Sequence, residues 1–238
     1  MPSTSTGIEW TDKTWNPTTG CNKVSPGCKY CYAETITQRF PKTFPNGFEF
    51  TLHRDRLNEP KKWRKPSRVF VNSMSDLFHE SMPLDFLQQI FKVMKDCPQH
   101  TFQILTKRHE RLLEIADAKI LDWPPNVWMG ISVETQKYVT RVDYLRKVPA
   151  EVRFLSCEPL LGPLELDLTG IHWVITGGES GAKHRPIKED WVRSIRDQCQ
   201  AAGVAFFHKQ WGGVRPNSNG RLLDGRTYDD MPEMLQLA

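Results

Sequence analysis

Three cysteines lie close together near the start of the chain, in the stretch GCNKVSPGCKYCYAE. Cys21, Cys28 and Cys31 follow the spacing C-x6-C-x2-C, and the glycine and proline residues around the first two favour a loop over a helix. Such a loop can wrap thiolates around an inorganic centre, because its backbone amides can donate hydrogen bonds to sulfur. The spacing therefore predicts a metal site formed by the three thiols.

The number of thiols bears on the kind of metal site. Structural zinc takes four ligands, so a zinc site needs a fourth from elsewhere in the chain, for which His53, Cys157 and His208 are candidates. A four-iron cluster held by three cysteines instead leaves one iron open to a small molecule. The remaining interpretation is that the three cysteines lie close together by chance.

The composition indicates a soluble cytoplasmic protein with no membrane segment. At 238 residues the chain can bury a full core without disulfide bonds. It has neither a long apolar run nor the start of a signal peptide, and its six unevenly spaced cysteines point to reduced thiols. The net charge of +4 permits an anionic partner without demonstrating one.

Short apolar runs alternate along the chain with helical patterns and predict the strands. These runs cover residues 8–15, 47–52, 68–73, 101–106, 126–133, 152–156, 171–176 and 204–208. The amphipathic helices are predicted over 83–96, 135–147 and 188–202. The pattern predicts a single α/β domain over residues 1–238, a TIM-like (β/α) barrel, complete or partly open, with about eight mainly parallel strands. A doubly wound sheet is the alternative.

Functional side chains of a (β/α) barrel follow the carboxyl ends of its strands. The polar residues at predicted strand ends are therefore candidates for binding a cofactor: Asn72, Ser73, Thr106, Lys107, Ser132, Glu134, Gly177, Gly178 and Glu179. The glycine turn of the last three can cradle a phosphate or a sulfonium through backbone amides. A plain turn without a ligand is the alternative for it.

The motif Cys28-Lys29-Tyr30-Cys31 carries an aromatic residue directly before its last cysteine. In this it resembles the radical S-adenosylmethionine (SAM) enzymes, although their first two cysteines are usually separated by three residues. The resemblance implies a [4Fe-4S] cluster, SAM on its open iron with Tyr30 nearby, and an electron donor such as a flavodoxin or ferredoxin. It also implies a 5'-deoxyadenosyl radical that abstracts hydrogen from substrate.

Two further motifs compare differently with that superfamily. The stretch from Gly130 to Glu134 partly resembles the fifth-strand motif that lines the adenine of SAM, with Glu134 in the acidic position. The Gly-Gly-Glu motif that holds the amino group of SAM normally follows the second strand, whereas Gly177-Gly178-Glu179 follows the seventh predicted strand. We therefore do not assign the binding of the SAM amino group to Gly177-Gly178-Glu179.

A second resemblance covers nearly the whole chain. The stretches TWNPTTGC, SPGCKYCYAE, VFVNSMSDLFHE, SCEPLLGP, GGESG and FFHKQWGG resemble an uncharacterised family with a three-cysteine motif that is common in phages and mobile elements. It implies no particular reaction.

Cys157 and Glu158 are the catalytic candidates, at the end of the sixth predicted strand. A thiol facing the mouth of the barrel can return a hydrogen atom to a substrate radical. The alternative for Cys157 is a buried small hydrophobe, which is the usual place of a free cysteine.

Basic and aromatic residues suggest a nucleic acid or nucleotide as the substrate. The candidates are Arg54, Arg56, Lys61, Lys62, Trp63, Arg64, Lys209 and Trp211. The sequence thus predicts a radical SAM enzyme that modifies or repairs a nucleobase, nucleotide or nucleic acid. The alternatives are a zinc-stabilised nucleic-acid-binding protein without catalysis, and a radical enzyme acting on a peptide or small metabolite.

Overall fold

The computed structural model describes residues 6–215 and 217–232, and its helices and strands alternate. In these ranges the strands are β1 (Lys13–Trp15), β2 (Thr18–Thr19), β3 (Thr51–Leu52), β4 (Arg68–Val71), β5 (Thr101–Thr106), β6 (Val127–Ser132), β7 (Val152–Cys157), β8 (Trp173–Gly177) and β9 (Ala205–Gln210). The α-helices are α1 (Tyr32–Arg39), α2 (Leu84–Lys95), α3 (His109–Asp117), α4 (Arg141–Arg146) and α5 (Glu189–Ala202).

Seven of these strands form one parallel sheet in the order β1-β4-β5-β6-β7-β8-β9. Every neighbouring pair is parallel, as expected where helices connect the strands. The sheet curls into a half-barrel, and in the described part of the chain its outer strands β1 and β9 do not pair with each other. The predicted α/β barrel is therefore confirmed in its partly open form.

One predicted strand does not join the barrel sheet. The run 47–52 contributes only Thr51–Leu52, which pairs antiparallel with β2 beside the sheet. In the described ranges the barrel sheet therefore has seven strands rather than eight. Helices α2 and α5 confirm two predicted helices, whereas the predicted helix 135–147 is a 3-10 turn over Gln136–Tyr138 followed by the short α4.

The two faces of the sheet carry different layers, because successive side chains of a strand point to opposite faces. The outer layer packs strand residues such as Val71 and Ile104 against residues of the helices, including Ile90 and Ile195. The inner layer lies on the face without helices and consists mainly of aromatic residues: Trp10, Phe70, Trp128, Phe154, Trp173, Ile175 and Phe207. At the carboxyl ends of the strands, polar side chains replace this aromatic layer. We call this end of the half-barrel the rim.

The opposite end of the half-barrel contains a cavity of about 1080 Å³ between the amino ends of the strands. Its lining includes Thr101, Trp128, His172 and Met231. None of the helices in the described ranges is both long and apolar enough to cross a lipid bilayer.

Candidate functional site

The three cysteines lie on one loop, residues 20–31, which we call the cysteine loop. Cys21 comes two residues after β2, Cys28 ends a 3-10 turn, and Cys31 is the N-cap of α1. All three thiols are free and partly exposed. A helix amino terminus stabilises a thiolate through its dipole, so the position of Cys31 suits a metal ligand.

The start of the cysteine loop is fixed to the segment that follows β4. The Gly20 amide donates to the Met74 carbonyl at 2.9 Å, and the Ser75 hydroxyl donates to the Gly20 carbonyl at 2.7 Å. Gly20 has φ +84°, and a Cβ at this position would lie 2.0 Å from the Glu49 carbonyl oxygen. Only glycine therefore fits here.

Asn72 and Ser73, both predicted to bind a cofactor, hold the segment before the cysteine loop. The buried Asn72 amide donates to Thr18 Oγ1 at 2.8 Å. The Ser73 hydroxyl donates to Asn16 Oδ1 at 3.2 Å, and the Ser73 carbonyl accepts a hydrogen bond from the Tyr32 hydroxyl. The polar groups of both residues are thus used within the fold.

Arg108, two residues after β5, directs its guanidinium at the first thiol. Its Nη2 is 3.8 Å from Cys21 Sγ and also donates to Asn22 Oδ1. Burial raises the pKa of the Cys21 thiol to about 11, the Asp76 carboxylate adds to the rise, and Arg108 opposes it. A guanidinium beside sulfur stabilises the thiolate that a metal requires.

Thr106 and Lys107 form the rim between β5 and β6. The Thr106 hydroxyl and the Lys107 amide donate to the buried Asp76 carboxylate at 2.7 and 3.1 Å. The Lys107 ammonium donates to Ser132 Oγ at 3.0 Å and lies 3.7 Å from Glu134 Oε1. Because the Lys107 side chain keeps 21% of its surface exposed, it is the part of this network that can still reach a bound molecule.

Glu134 supports the middle of the cysteine loop from the end of β6. Its fully buried carboxylate accepts hydrogen bonds from Ser25 Oγ at 2.6 Å and from Arg141 Nη1 at 2.9 Å. The Ser25 hydroxyl is also 3.7 Å from Cys28 Sγ. A Cβ at Gly27 would lie 2.5 Å from Glu134 Oε1. The structure thus places Glu134 against the cysteine loop, and its carboxylate is occupied by the hydrogen bonds from Ser25 and Arg141.

The glycine turn after β8 contacts the cysteine loop through an arginine. Glu179 is 6% exposed and accepts two hydrogen bonds from the guanidinium of Arg185. Arg185 Nη2 also donates to the Pro26 carbonyl at 2.9 Å, and its guanidinium lies 5.4 Å from the Tyr30 ring centre. A Cβ at Gly178 would lie 2.2 Å from a carbonyl of the loop after β9, so this glycine serves close packing.

Glu158 and Lys209 form an ion pair on the inner face of the rim. Lys209 Nζ is 2.7 Å from Glu158 Oε1, and the two side chains are 16% and 20% exposed. The pair reaches across β8, where a Cβ at Gly177 would lie 3.0 Å from the Glu158 carboxyl carbon. Gly177 therefore leaves room for this pair, which is a second polar group on the rim beside Lys107.

Cys157 does not share the face of Glu158. Its side chain is fully buried and belongs to the outer layer, together with Cys199 on α5. Burial raises the pKa of its thiol. Strand alternation instead turns Glu158 toward the inner face, so the expectation that Cys157 faces the mouth of the barrel is wrong, and its thiol lies where a small hydrophobe would.

The histidines considered as a fourth zinc ligand are used within the fold. His53 Nε2 is 2.8 Å from Thr19 Oγ1. His208 is fully buried, its Nδ1 is 3.0 Å from Thr176 Oγ1, and its ring packs against Trp211 at 4.3 Å. Within residues 6–215 and 217–232, no three side chains of His, Cys, Asp or Glu are arranged to hold a single metal ion.

The basic segment after β3 lies against α2 and the outer layer. The Arg54 guanidinium is 5.1 Å from the Phe86 ring centre, and Lys61 Nζ is 3.0 Å from Asp96 Oδ2. Trp63 packs against the core, with a lysine ammonium 5.4 Å from its ring centre. The segment also carries Arg56, Lys62 and Arg64. The contacts described for Arg54, Lys61 and Trp63 do not involve the cysteine loop, and Trp63 is half-buried.

The sequence analysis missed several residues around the cysteine loop, among them Ser25, Tyr32, Arg141 and Arg185. Ser25 and Tyr32 stand inside or beside the cysteine motif, so their position was a usable signal. Arg185 belongs to no motif, and it contacts the loop across 159 residues of sequence. Only the folded chain shows that contact.

The chain has a likeness to solved structures of spore photoproduct lyase. A mutant of that enzyme with bound AdoMet and dinucleoside spore photoproduct is 13% identical, with a TM-score of 0.49, covering 79% of this chain and 61% of that one. A complex with dinucleoside spore photoproduct is 13% identical, with a TM-score of 0.48, covering 82% and 62%. The chain thus spans about three fifths of their length. Likenesses of this degree assign neither a reaction nor a substrate.

No curated protein matches the chain. A family described as "Protein of unknown function (DUF5131)" matches residues 5–232. The relation to phages and mobile elements stays a prediction. Because the family match extends over nearly the whole sequence, the chain belongs to the DUF5131 family.

Proposed function

We propose that this protein is a radical SAM enzyme whose [4Fe-4S] cluster is bound by Cys21, Cys28 and Cys31. The observation that carries the proposal is the placement of three free thiols on one loop over the carboxyl rim of an open, parallel half-barrel. The ends of β4, β5 and β6 each contact that loop through hydrogen bonds. The rim is where a (β/α) barrel binds its ligands.

The donor set suits an iron–sulfur cluster better than a zinc ion. A thiolate at each position has a stabilising neighbour: Arg108 at Cys21, the Ser25 hydroxyl near Cys28 and the α1 amino terminus at Cys31. Structural zinc requires a fourth ligand. Of the three candidates for that ligand, His53 is hydrogen-bonded to Thr19, and Cys157 and His208 are fully buried. Three thiols therefore remain, for a group that leaves one coordination position open.

The chemistry of such a group, once bound, is the reductive cleavage of SAM to a 5'-deoxyadenosyl radical. The chain itself holds and shields the reactants. The aromatic inner layer excludes water from below the rim. Lys107 and the Glu158–Lys209 pair provide charged groups on the rim that can orient SAM and the substrate. Cys157 lies in the outer layer and has no part in this scheme.

A nucleobase, nucleotide or nucleic acid is the substrate class that we favour. The chain carries a net charge of +4, and two of the charged groups on the inner rim are the ammonium groups of Lys107 and Lys209. Each ammonium group lies beside a glutamate, so an anionic phosphate would bind there in exchange for a carboxylate. In the basic segment around Trp63, the indole packs against the core, whereas Arg54, Lys61, Lys62 and Arg64 are exposed and can still meet an anionic partner. A peptide or small metabolite is the competing substrate class.

The test is the release of 5'-deoxyadenosine from SAM by the anaerobically reconstituted protein, with dithionite as reductant. We expect release by the wild type and by Cys97→Ala, a matched control that removes a buried thiol of the outer layer. We expect none from Cys28→Ala. A wild-type protein with an intact cluster that releases no 5'-deoxyadenosine would falsify the assignment.

A further inference from the structure

We propose that Arg185 is a positioning residue that fastens the cysteine loop to the end of β8 and thereby holds the loop in place across the rim of the half-barrel. Only the consequence for a bound cluster rests on the proposed function. The contact itself is a property of the polypeptide. It therefore has a test that needs no metal.

The guanidinium of Arg185 makes contacts on two sides. On one side it meets Glu179, with Nε 2.9 Å from Oε2 and Nη2 2.5 Å from Oε1, while the Arg185 amide donates to Oε2 at 2.9 Å. On the other side Nη2 donates to the Pro26 carbonyl at 2.9 Å. The same guanidinium lies over the ring of Tyr30. One side chain thus holds both the turn after β8 and the cysteine loop.

This contact joins the two sides of an open sheet. The cysteine loop follows the edge strand β1 and the short β2, whereas Glu179 follows β8, the neighbour of the other edge strand β9. The described parts of β1 and β9 share no backbone pairing. Arg185 therefore supplies a side-chain connection at the rim between the loop that follows β2 and the turn that follows β8, two segments whose strands share no backbone pairing in the described part of the chain.

The geometry requires arginine rather than any positive charge. A planar guanidinium can hold a carboxylate with two donors and still offer a hydrogen atom to a carbonyl, whereas a lysine ammonium is a single point of charge. Glu179 is buried, so it needs a charged partner for stability. The link to Pro26 is a separate contact, and exchanging the two charges would keep the ion pair but remove this donor.

Loss of the link to Pro26 frees the segment that carries Cys28 and Cys31. The Ser25–Glu134 hydrogen bond still holds the loop from the side of β6. We therefore expect a loosened loop within a folded protein rather than general unfolding. The two thiols of this segment then react faster with an external reagent, and a bound cluster is lost faster to a chelator.

The experiment measures the rate at which N-ethylmaleimide labels each cysteine in the metal-free, folded protein, with peptide mass spectrometry to separate the sites. For Arg185→Ala we expect about a tenfold faster labelling of Cys28 and Cys31, the size expected when a charge-assisted hydrogen bond is lost. Cys28 and Cys31 should also be labelled fast in Arg185→Lys, because the positive charge remains but the planar group with several donors is lost. The exchanged pair Glu179→Arg with Arg185→Glu should do the same.

The matched control is Arg193→Ala, which removes an arginine that pairs with three carboxylates around α5. It should label Cys28 and Cys31 at the wild-type rate even if its melting temperature falls. A wild-type rate in Arg185→Ala, or restoration of that rate by the exchanged pair, overturns the inference. In the iron-loaded protein, iron transfer to bathophenanthroline should be faster in Arg185→Ala. If the protein binds no cluster but the labelling result holds, the proposed function fails and the role of Arg185 stands.

Discussion

Single residues explain why the cysteine loop has one position over the rim. Gly27 and Glu134 meet at the point where the loop crosses the end of β6, and the missing side chain of Gly27 makes room for the buried carboxylate. Ser25 then reaches that carboxylate from the same loop. The contact is therefore made of a small residue and a charged one, neither of which binds metal itself.

Gly27→Ala should displace the cysteine loop without unfolding the protein. The added Cβ would lie 2.5 Å from Glu134 Oε1, and Glu134 cannot move freely because Arg141 holds it. Overpacking of this kind costs about 1–3 kcal/mol. We expect a folded protein with little iron after reconstitution. Gly162→Ala is the control, since its Cβ would meet nothing within 4 Å, and equal iron contents in the two variants would contradict this prediction.

Glu134→Ala should destabilise the protein by about 3–5 kcal/mol, because it leaves the buried guanidinium of Arg141 without its partner. Urea unfolding of the metal-free protein measures the loss. The exposed Glu110→Ala on α3 is the control, with an expected change below about 0.5 kcal/mol. A loss of similar size in both variants would show that Glu134 has no special role.

At the scale of elements, hydrophobic patterning predicted the strands well because most positions of the sheet are buried, and β6 and β8 are buried on both faces. Run 47–52 failed, since a short extended segment can pair outside the main sheet as readily as within it, and β3 does so with β2. The direction of individual side chains was also hard to predict. A strand that is apolar on both faces gives no sign of which residues point inward, and Cys157 was assigned to the wrong face for this reason.

Cys157→Ala should therefore leave both the cluster and the cleavage of SAM unaffected. The expected change is a loss of stability of about 1 kcal/mol, since a small side chain is removed from the outer layer. Cys157→Ser should be worse, because it places a hydroxyl in an apolar environment. Release of 5'-deoxyadenosine and urea unfolding check the two effects. Impaired release by a folded Cys157→Ala variant would show that the Cys157 thiol takes part in the reaction after all.

On the scale of the whole molecule, the sequence was sufficient for the fold class, but not for the contacts that hold the cysteine loop in place, and the metal-binding role of the three thiols stays a prediction. The barrel follows from alternation of strands and helices, and the three thiols from their spacing. The links through Arg108, Glu134 and Arg185 join distant parts of the chain. They depend on which strand ends meet at the rim, and a local pattern does not contain that information.

Buried histidine makes the fold sensitive to acid. Burial and the charge of Arg221 lower the pKa of His208 from 6.5 to about 4. Between these values the unfolded chain binds a proton that the folded chain does not, so stability falls as the pH is lowered through this window. The loss of stability from His208 is at most about 3.5 kcal/mol, at about 1.4 kcal/mol for each unit of pKa.

Urea unfolding at pH 7 and pH 5 checks this sign. We expect the wild type to be less stable at pH 5, and His208→Gln to lose less stability than the wild type between the two pH values. The control His184→Gln replaces a half-buried imidazole on the loop after β8 and should keep the wild-type difference. An unchanged pH dependence in His208→Gln would contradict the assignment.

The most direct test of the central claim is iron and sulfide analysis of the anaerobically reconstituted protein, together with its electron paramagnetic resonance spectrum. We predict about four irons and four sulfides per chain, a reduced-cluster signal that changes when SAM is added, and loss of both in Cys28→Ala. A colourless wild-type protein that holds one zinc, or an iron content that Cys28→Ala does not reduce, would contradict the account.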